Sequence, residues 1–269
     1  MRDRRWLLSL LLAGSMAVAG SGASAQDTLK VAIGQLGLWA VDAPRLGQRA
    51  GIFRKHGIVL DIFGTSGGGD TLQAVISGSA DLTVGIGTAA VLRAYSKGAP
   101  IRVIGVNFTG AGDLYWYVRA DSPIKRLTDA SAATTIAYSA SGSSSHNVVL
   151  AFLQELGVKA MPTATGTQPA TLTQVMSGQI DIGWSAPPFG LKELAQGKIR
   201  IIANGNDVPS LRSQSVRVDM SMPTSSSSAG TRCCVSCKLT ARPWVGCFPA
   251  PRRSRSMPRK RTCRSSLRP

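Results

Sequence analysis

The chain has 269 residues, which suits one large domain or two small lobes. Its hydrophobic fraction of 43% is enough to bury a core, and its charged fraction of 17% argues against a coiled coil or bulk disorder. The formal net charge is +17, but residues 220–269 contribute 11 Lys and Arg and no acidic residue. Residues 26–219 carry 17 basic and 13 acidic residues and no cysteine, which excludes a disulfide scaffold or a cysteine nucleophile there.

The first 25 residues have the pattern of an export signal. Residues 1–6 are basic, residues 7–20 form an apolar run, and residues 23–25 (Ala-Ser-Ala) fit a cleavage site. The apolar run is shorter than the roughly 20 residues that cross a bilayer. We therefore expect a periplasmic protein, cleaved near Ala25, although the sequence leaves Sec and Tat export both open.

Strands and helices alternate through the first half of the body. Strands are predicted over residues 29–34, 58–63, 81–85 and 101–107, and helices over residues 44–56, 71–77 (with Asp70 as N-cap) and 88–97. Such alternation is typical of a parallel or mixed sheet that is covered by helices.

The second half repeats this order. We predict strands at 113–119 and 134–138, a Ser/Gly loop over 139–145 and a helix over 147–156. Residues 171–182 match residues 71–82 at an offset of one hundred, with Thr, Leu, Val, Ser, Gly and Asp at equivalent places. One αβ unit used twice predicts two similar lobes.

Small polar loops follow the strands of both predicted lobes. In open α/β sheets, ligands bind beyond the carboxyl ends of the strands, where helix N-termini offer free N–H groups. A single Ser or Thr there could equally cap a helix or stabilise a turn. The glycine loop at 67–69 lacks the Lys of a phosphate-binding P-loop. The candidate ligand-binding residues are Gln35, Trp39, Thr65, Ser66, Gly67, Gly68, Gly87, Thr88, Ser141, Gly142, Ser143, Ser144, Thr167 and Ser185.

Five segments carry a family resemblance over residues 28–218. They are Val-Ala-Ile-Gly at 31–34, Ala-Gly-Ile-Phe-Arg-Lys-His-Gly-Ile at 50–58, Gly-Asp at 69–70 with residues 73–81, Ser-Pro-Ile-Lys-Arg-Leu at 122–127, and Ser-Gly-Ser at 141–143 with His146 and Leu150. The sequence resembles the substrate-binding proteins of ABC importers, in the sulfonate/nitrate/taurine and thiamine-precursor-like group. One departure is Ala-Ser-Ala-Ala at 130–133, where that group has Leu-Lys-Gly-Lys.

The resemblance implies a type II periplasmic-binding-protein architecture, in which two α/β lobes surround a ligand cleft. We expect lobe I at 26–112, lobe II at 113–207 and a return segment to lobe I at 208–219. The expected function is capture of a small, anionic organic solute by a monomer that delivers it to an ABC transporter permease. No nucleic acid, metal or cofactor is expected. Two alternatives stay open: a thiamine-pyrimidine-precursor binder or biosynthetic enzyme of the same fold, and a solute-sensing domain.

The enzyme alternative has little support from the residues. Of the two histidines, His56 lies beside Lys55 at a predicted helix end, and His146 follows a run of serines without a Gly-x-Ser-x-Gly elbow. Residues 26–218 show no paired carboxylates at catalytic spacing and no metal-ligand spacing. We therefore predict no catalytic residues.

Residues 220–269 do not fit the family. They combine nine Arg, ten Ser, six Pro and five Cys without helix or strand periodicity. A basic nucleic-acid or membrane tail and a metal site at the C-x-x-C of residues 234–237 are possible interpretations. Out-of-frame translation near Asp219 explains the composition better, because GC-rich codons read in a wrong frame favour these residue types. This hypothesis predicts an incomplete first lobe, a disordered tail, a low soluble yield and weak or absent ligand binding, all of which restoring the frame near Asp219 should correct.

Overall fold

A computed structural model describes residues 26–65 and 67–223. Three parts of the chain lie outside the described residues: the predicted signal segment at 1–25, the candidate site residue Ser66, and the tail from residue 224 onward. Within the described part of the chain, no helix combines the length and the apolar character needed to cross a membrane.

A five-stranded sheet carries the first half of the chain. Its order is β2-β1-β3-β10-β4; β1 pairs in parallel with β2 and β3, and β10 lies antiparallel between β3 and β4. The elements are β1 (Asp27–Ile33), α1 (Ala43–Arg49), β2 (Ile58–Gly64), α2 (Gly68–Ile76), β3 (Leu82–Gly87), α3 (Thr88–Ser96), β4 (Arg102–Thr109) and β10 (Ser215–Ser221). A single-turn helix at Trp39–Val41 follows β1.

A second αβ unit carries residues 115–204. Its three-stranded sheet has the order β8-β5-β9, and the parallel pair β6-β7 approaches it through a bridge between Ile136 and Ile182. The elements are β5 (Tyr115–Arg119), β6 (Thr135–Tyr138), α4 (Ser144–Glu155), β7 (Met161–Ala164), α5 (Gln168–Met176), β8 (Gly183–Ser185), α6 (Leu191–Ala195) and β9 (Ile199–Asn204). The predicted architecture of two α/β lobes is confirmed.

Two chain crossings join the lobes, and hydrogen bonds tie them together. The N–H of Gly110 donates to the Gln214 carbonyl oxygen (2.8 Å), and the N–H of Gly205 donates to the Leu114 carbonyl oxygen (2.9 Å). The second crossing leads into β10, which runs to Ser221, two residues past the boundary expected at 219. The two crossings are therefore held side by side where the chain passes between the lobes.

The helix starts of the sequence repeat have the same hydrogen bonds in both lobes. The hydroxyl of Thr71 donates to the carbonyl oxygen of Gly67 (2.8 Å), and the hydroxyl of Thr171 donates to that of Thr167 (2.9 Å). Each hydroxyl donates to the carbonyl oxygen of the residue that caps the N-terminus of its helix. The repeat read from the sequence is thus also a repeat of structure.

The aspartates of the repeat also have equivalent contacts. The Asp81 carboxylate accepts the N–H of Lys30 (2.8 Å) in β1, and the Asp181 carboxylate accepts the N–H of Thr135 (2.8 Å) in β6. Asp81 thus binds β1, the strand beside β3 in the five-stranded sheet, and Asp181 binds β6, which meets the neighbouring segment through the bridge between Ile136 and Ile182. Each contact fixes the turn after its helix against a neighbouring strand.

Three predicted helix boundaries are wrong. The helix expected over 44–56 is interrupted, since α1 ends at Arg49 and Gly51 adopts a left-handed φ of 71° before a separate turn at Arg54–His56. Helix α2 begins at Gly68 with Gly67 as N-cap, so Asp70 lies in the first turn rather than at the cap. Helix α4 begins at Ser144, three residues earlier than predicted, because Ser143 caps it.

The cores of the two lobes differ in their large side chains. In the second lobe, Trp116 and Phe152 are fully buried and meet edge to face with ring centroids 4.8 Å apart. Val218 and Met220 of β10 are buried in a separate cluster of the first lobe. The return strand is therefore an integral part of the first lobe's sheet.

Candidate ligand-binding cleft

A small cavity lies between the two lobes at the carboxyl ends of their strands. Its volume is about 50 Å³. The first lobe contributes the loop after β1, the start of α2 and the end of β3, and the second contributes the serine loop after β6 and the end of β8. The lining residues are Gly34, Gln35, Leu38, Val41, Gly67, Gly68, Thr71, Gly85, Ile86, Gly87, Leu114, Ser139, Ser143, Ser144, Ser145, Trp184 and Arg217.

Glycines let the two lobes come into contact around this cavity. A Cβ atom on Gly67 would lie 2.8 Å from the Cβ of Ala140, and one on Gly87 would lie 2.9 Å from the carbonyl oxygen of Gly142. Both distances are shorter than ordinary van der Waals contacts. The absence of side chains at these two positions thus permits the close approach of the lobes.

Two helix N-termini line the cavity from opposite sides. Gly68 begins α2 in the first lobe, and Ser144 begins α4 in the second. The free N–H groups and the partial positive charge of a helix N-terminus favour an anion. Two such ends that meet at one cavity add to the positive potential there.

The serine loop is held by its own hydrogen bonds. The Ser145 hydroxyl lies 3.1 Å from that of Ser139 and 3.0 Å from that of Ser143, and Ser143 Oγ accepts the N–H of His146 (3.1 Å). These three hydroxyls form hydrogen bonds within the loop, so they stabilise the loop and are already paired before a ligand binds. The neighbouring Ser144 lines the cavity and is only half-buried.

Three N–H donors at the cavity have no acceptor among the described residues. They are Gln35 Nε2, Trp184 Nε1 and Arg217 Nε, and each is inaccessible to solvent. A buried donor without an acceptor costs about 1–3 kcal/mol, and more where the group is charged. A ligand that offers acceptor oxygens to these donors would remove that cost.

The cleft contains a buried cation that comes from the return strand. Arg217 is 3% exposed, stacks over the Phe108 ring at 5.1 Å, and pairs through Nη2 with the Asp113 carboxylate. Asp113 lies in the first chain crossing, 104 residues away. Burial of a guanidinium requires such a partner, and this pair connects the cleft to the crossing.

His146 lies behind the serine loop and is held as a hydrogen-bond acceptor. The N–H of Gly142 donates to His146 Nδ1 (3.1 Å), and the Tyr138 ring lies 4.3 Å away, centroid to centroid. Burial lowers the pKa of His146, and the charge of Arg93 lowers it further. A neutral imidazole that accepts at Nδ1 serves to hold the loop.

Six of the candidate residues from the sequence line the cavity, and seven do not. The six are Gln35, Gly67, Gly68, Gly87, Ser143 and Ser144. Four of the others have different places. Trp39 is 65% exposed, Thr65 bonds the Thr71 hydroxyl (2.6 Å), Thr88 donates to the Ser215 carbonyl oxygen (2.5 Å), and Thr167 caps α5.

The last three lie near the cleft without lining it. Ser141 is exposed. The carbonyl oxygen of Gly142 lies next to Gly87, 2.9 Å from the position that a Cβ atom on Gly87 would take. Ser185 donates to the Phe189 carbonyl oxygen (3.1 Å) on the other face of its sheet from Trp184.

Two of the three unpaired donors, Trp184 and Arg217, were not predicted from the sequence. In a strand, a charged residue between Val216 and Val218 alternates to the opposite face and usually contacts solvent, so the pattern gives no signal for a buried Arg217. Trp184 gave no signal either, because its neighbours predict a buried strand whatever the indole N–H binds.

A protein-family model described as NMT1/THI5 like matches residues 46–206, more than half of the chain. The chain belongs to the NMT1/THI5-like family. This match covers both helix N-termini of the cleft and most of the repeat. No curated protein matches the chain.

Solved structures share the fold. The periplasmic aliphatic sulphonate binding protein SsuA of Escherichia coli is 23% identical over 73% of this chain and 61% of its own length (TM-score 0.56). The alkanesulfonate-binding protein SsuA of Xanthomonas axonopodis pv. citri, bound to MOPS, is 23% identical over 73% and 65% (TM-score 0.60). A Bordetella bronchiseptica protein is 22% identical over 79% and 68% (TM-score 0.63).

This chain therefore spans about two thirds of the length of these proteins. At these identities the likeness establishes the fold. It is the periplasmic-binding-protein fold found in ligand-binding components of ABC import systems. Two of these similar proteins are named as sulfonate-binding proteins.

Proposed function

We propose that this protein captures a small organic anion between its two lobes and delivers it to an ABC importer. The observation that carries the proposal is the set of three buried, unpaired N–H donors at one cavity, Gln35 Nε2, Trp184 Nε1 and Arg217 Nε. A sulfonate or carboxylate offers two or three acceptor oxygens to such donors. Sulfonates are the first class to test, since two of the similar structures are named as sulfonate-binding proteins.

The proposed mechanism is lobe closure without covalent chemistry. Residues 26–112 and the return segment 208–219 form one lobe, residues 113–207 form the other, and the two crossings allow them to open. A ligand that bridges the α2 and α4 N-termini stabilises the closed state, because it contacts both lobes only there. The N–H of Gly142 donates to His146 Nδ1, so this nitrogen is not free to act as a general base. This arrangement fits a binding protein rather than a hydrolase.

Export to the periplasm is part of the proposal. The basic start, apolar run and Ala-Ser-Ala site of residues 1–25 support cleavage of a signal peptide. We expect mass spectrometry of the secreted protein to show a mature N-terminus at Gln26. A chain that retains Met1 in the cytoplasm would contradict this part of the proposal.

The test of the function is a thermal-shift screen of the purified full chain, followed by calorimetry. The screen covers methanesulfonate, taurine, MOPS, nitrate, carboxylates and thiamine precursors. A ligand at one hundred times its Kd stabilises the folded state by about 2.7 kcal/mol. The same screen is run on the chain with the reading frame restored after Asp219, and if no anion shifts the unfolding temperature of either chain, the proposal fails.

A matched pair of tryptophan variants locates the site. Trp184→Phe removes one unpaired donor and keeps an aromatic ring, so it should weaken anion binding by about 1.5–3 kcal/mol, or roughly 10- to 150-fold in Kd. Trp39→Phe is the control, because Trp39 is exposed and does not line the cavity. Equal affinities for the two variants would place the site elsewhere.

A further inference from the structure

A second cavity lies inside the second lobe, away from the cleft between the lobes. Its volume is about 130 Å³, and it lies between α5, α6 and the face of the β8-β5-β9 sheet that carries Tyr117. Trp184 lines the first cavity and Ser185 the second, so the two cavities are on opposite faces of the sheet. Nothing in the proposed capture of an anion uses this space.

A buried amide beside the second cavity has a nitrogen without an acceptor. Gln168 is 3% exposed, and its Nε2 has no hydrogen-bond partner among the described residues. A buried amide nitrogen is rarely left unpaired in a folded protein. An occupant of the cavity with a hydroxyl or carbonyl oxygen would accept from it.

A carboxylate lines the same cavity. Glu193 of α6 is half-buried, and no Lys, Arg or His pairs with it within the described part of the chain. Burial is the main cause of the raised pKa of Tyr117, Tyr115 raises this pKa further, and the charge of Glu193 makes the smallest contribution. The cavity thus joins a negative group to an unpaired donor.

The rest of the wall is apolar and aromatic. Phe189 and Leu172 line the cavity beside these polar groups. An aromatic face attracts a cation as well as hydrocarbon. A cavity of about 150 Å³ in another protein holds benzene, so this one has room for about five or six non-hydrogen atoms.

We propose that this cavity binds a small protonated amine that carries a hydrogen-bond acceptor two or three bonds from its nitrogen. The ammonium group pairs with the Glu193 carboxylate, the acceptor oxygen receives the Gln168 N–H, and the carbon atoms lie against Phe189. The site is independent of the anion in the cleft, since none of these side chains lines the first cavity.

Ethanolamine is the probe. Ethylamine is the comparison that lacks the acceptor oxygen, and ethylene glycol is the comparison that lacks the charge. Titrations of the full chain are followed by calorimetry and by the amide NMR signals of lobe II. We expect saturable binding of ethanolamine with a millimolar Kd, as suits a ligand of this size, and at least tenfold weaker binding of both comparisons. Failure of ethanolamine to saturate at 50 mM would overturn the proposal.

Three variants separate a built site from general attraction to charge. Glu193→Gln should weaken ethanolamine binding at least tenfold, and Gln168→Met should reduce the preference for ethanolamine over ethylamine to about twofold. Glu155→Gln, which removes another carboxylate of this lobe, should leave the affinity unchanged. Equal effects of the two glutamate variants would refute the site. Should Gln168→Met fail to fold, the glutamate comparison alone decides, because the Glu193 carboxylate has no ion pair among the described residues that the substitution would break.

Discussion

Replacement of Gly87 by Ala tests lobe closure directly. Gly87 has φ −60° and ψ 124°, a conformation that alanine adopts without strain. Its new Cβ atom would nevertheless lie 2.9 Å from the carbonyl oxygen of Gly142, 3.0 Å from the N of Ser144 and 3.2 Å from the C of Ser143. All three contacts are backbone atoms of the opposite lobe. The variant should therefore fold and fail to close.

The cost follows from overpacking. An added methyl group that forces a backbone shift costs about 1–3 kcal/mol, and this cost applies to the closed state alone. The Kd of the tightest anion from the screen should rise by roughly 5- to 150-fold. Small-angle scattering of the ligand-saturated variant should show a larger radius of gyration than the unsubstituted chain under the same conditions.

Gly69→Ala is the control, because a Cβ atom on Gly69 meets nothing within 4 Å. It should leave both the Kd and the scattering unchanged. Lobe closure of this kind is refuted if Gly87→Ala binds as tightly as this control. It is also refuted if the ligand-free Gly87→Ala chain loses as much unfolding free energy as it loses in binding, since the contact would then belong to the fold itself.

Three further predictions concern the loop behind the cleft and the end of the chain. The lowered pKa of His146 means that the unfolded chain binds a proton more readily than the folded chain, so the unfolding free energy should fall as the pH drops below about 6.5. The variant His146→Gln can still accept a hydrogen bond from the N–H of Gly142. In melting curves measured at several pH values, this variant should lack the contribution of His146 to the pH dependence. Ser144→Asp should weaken anion binding more than tenfold by calorimetry, because it adds a negative charge to the cavity lining, whereas Ser141→Asp on the exposed part of the loop should change it less than twofold. Resequencing of the gene should reveal a shifted reading frame behind residues 220–269, and restoring that frame should raise the soluble yield; related genes that encode the same Cys/Arg tail would contradict the hypothesis.

The order of elements and the repeat could be predicted from the sequence. Apolar runs bounded by glycine and the matched segments 71–82 and 171–182 are local patterns, and local hydrogen bonds such as Thr71 to Gly67 realise them in the structure. The glycines of the cleft were also predictable, since small residues at strand ends mark places of close approach. The predicted starts of α2 and α4 were a few residues too late. The start of a helix depends on which residue of the preceding loop takes the N-cap conformation, and several small residues in each loop could do so.

The chemistry of the cleft was decided by the tertiary structure. Arg217 enters the cavity because β10 inserts antiparallel between β3 and β4, a register set by pairing with strands more than a hundred residues away. Its partner Asp113 belongs to the other crossing, so neither residue shows from its neighbours in sequence that the two form a pair. Trp39, by contrast, was a reasonable candidate that the packing of the loop after β1 leaves 65% exposed. Local sequence specified the two lobes, whereas long-range pairing decided which side chains face each other between them.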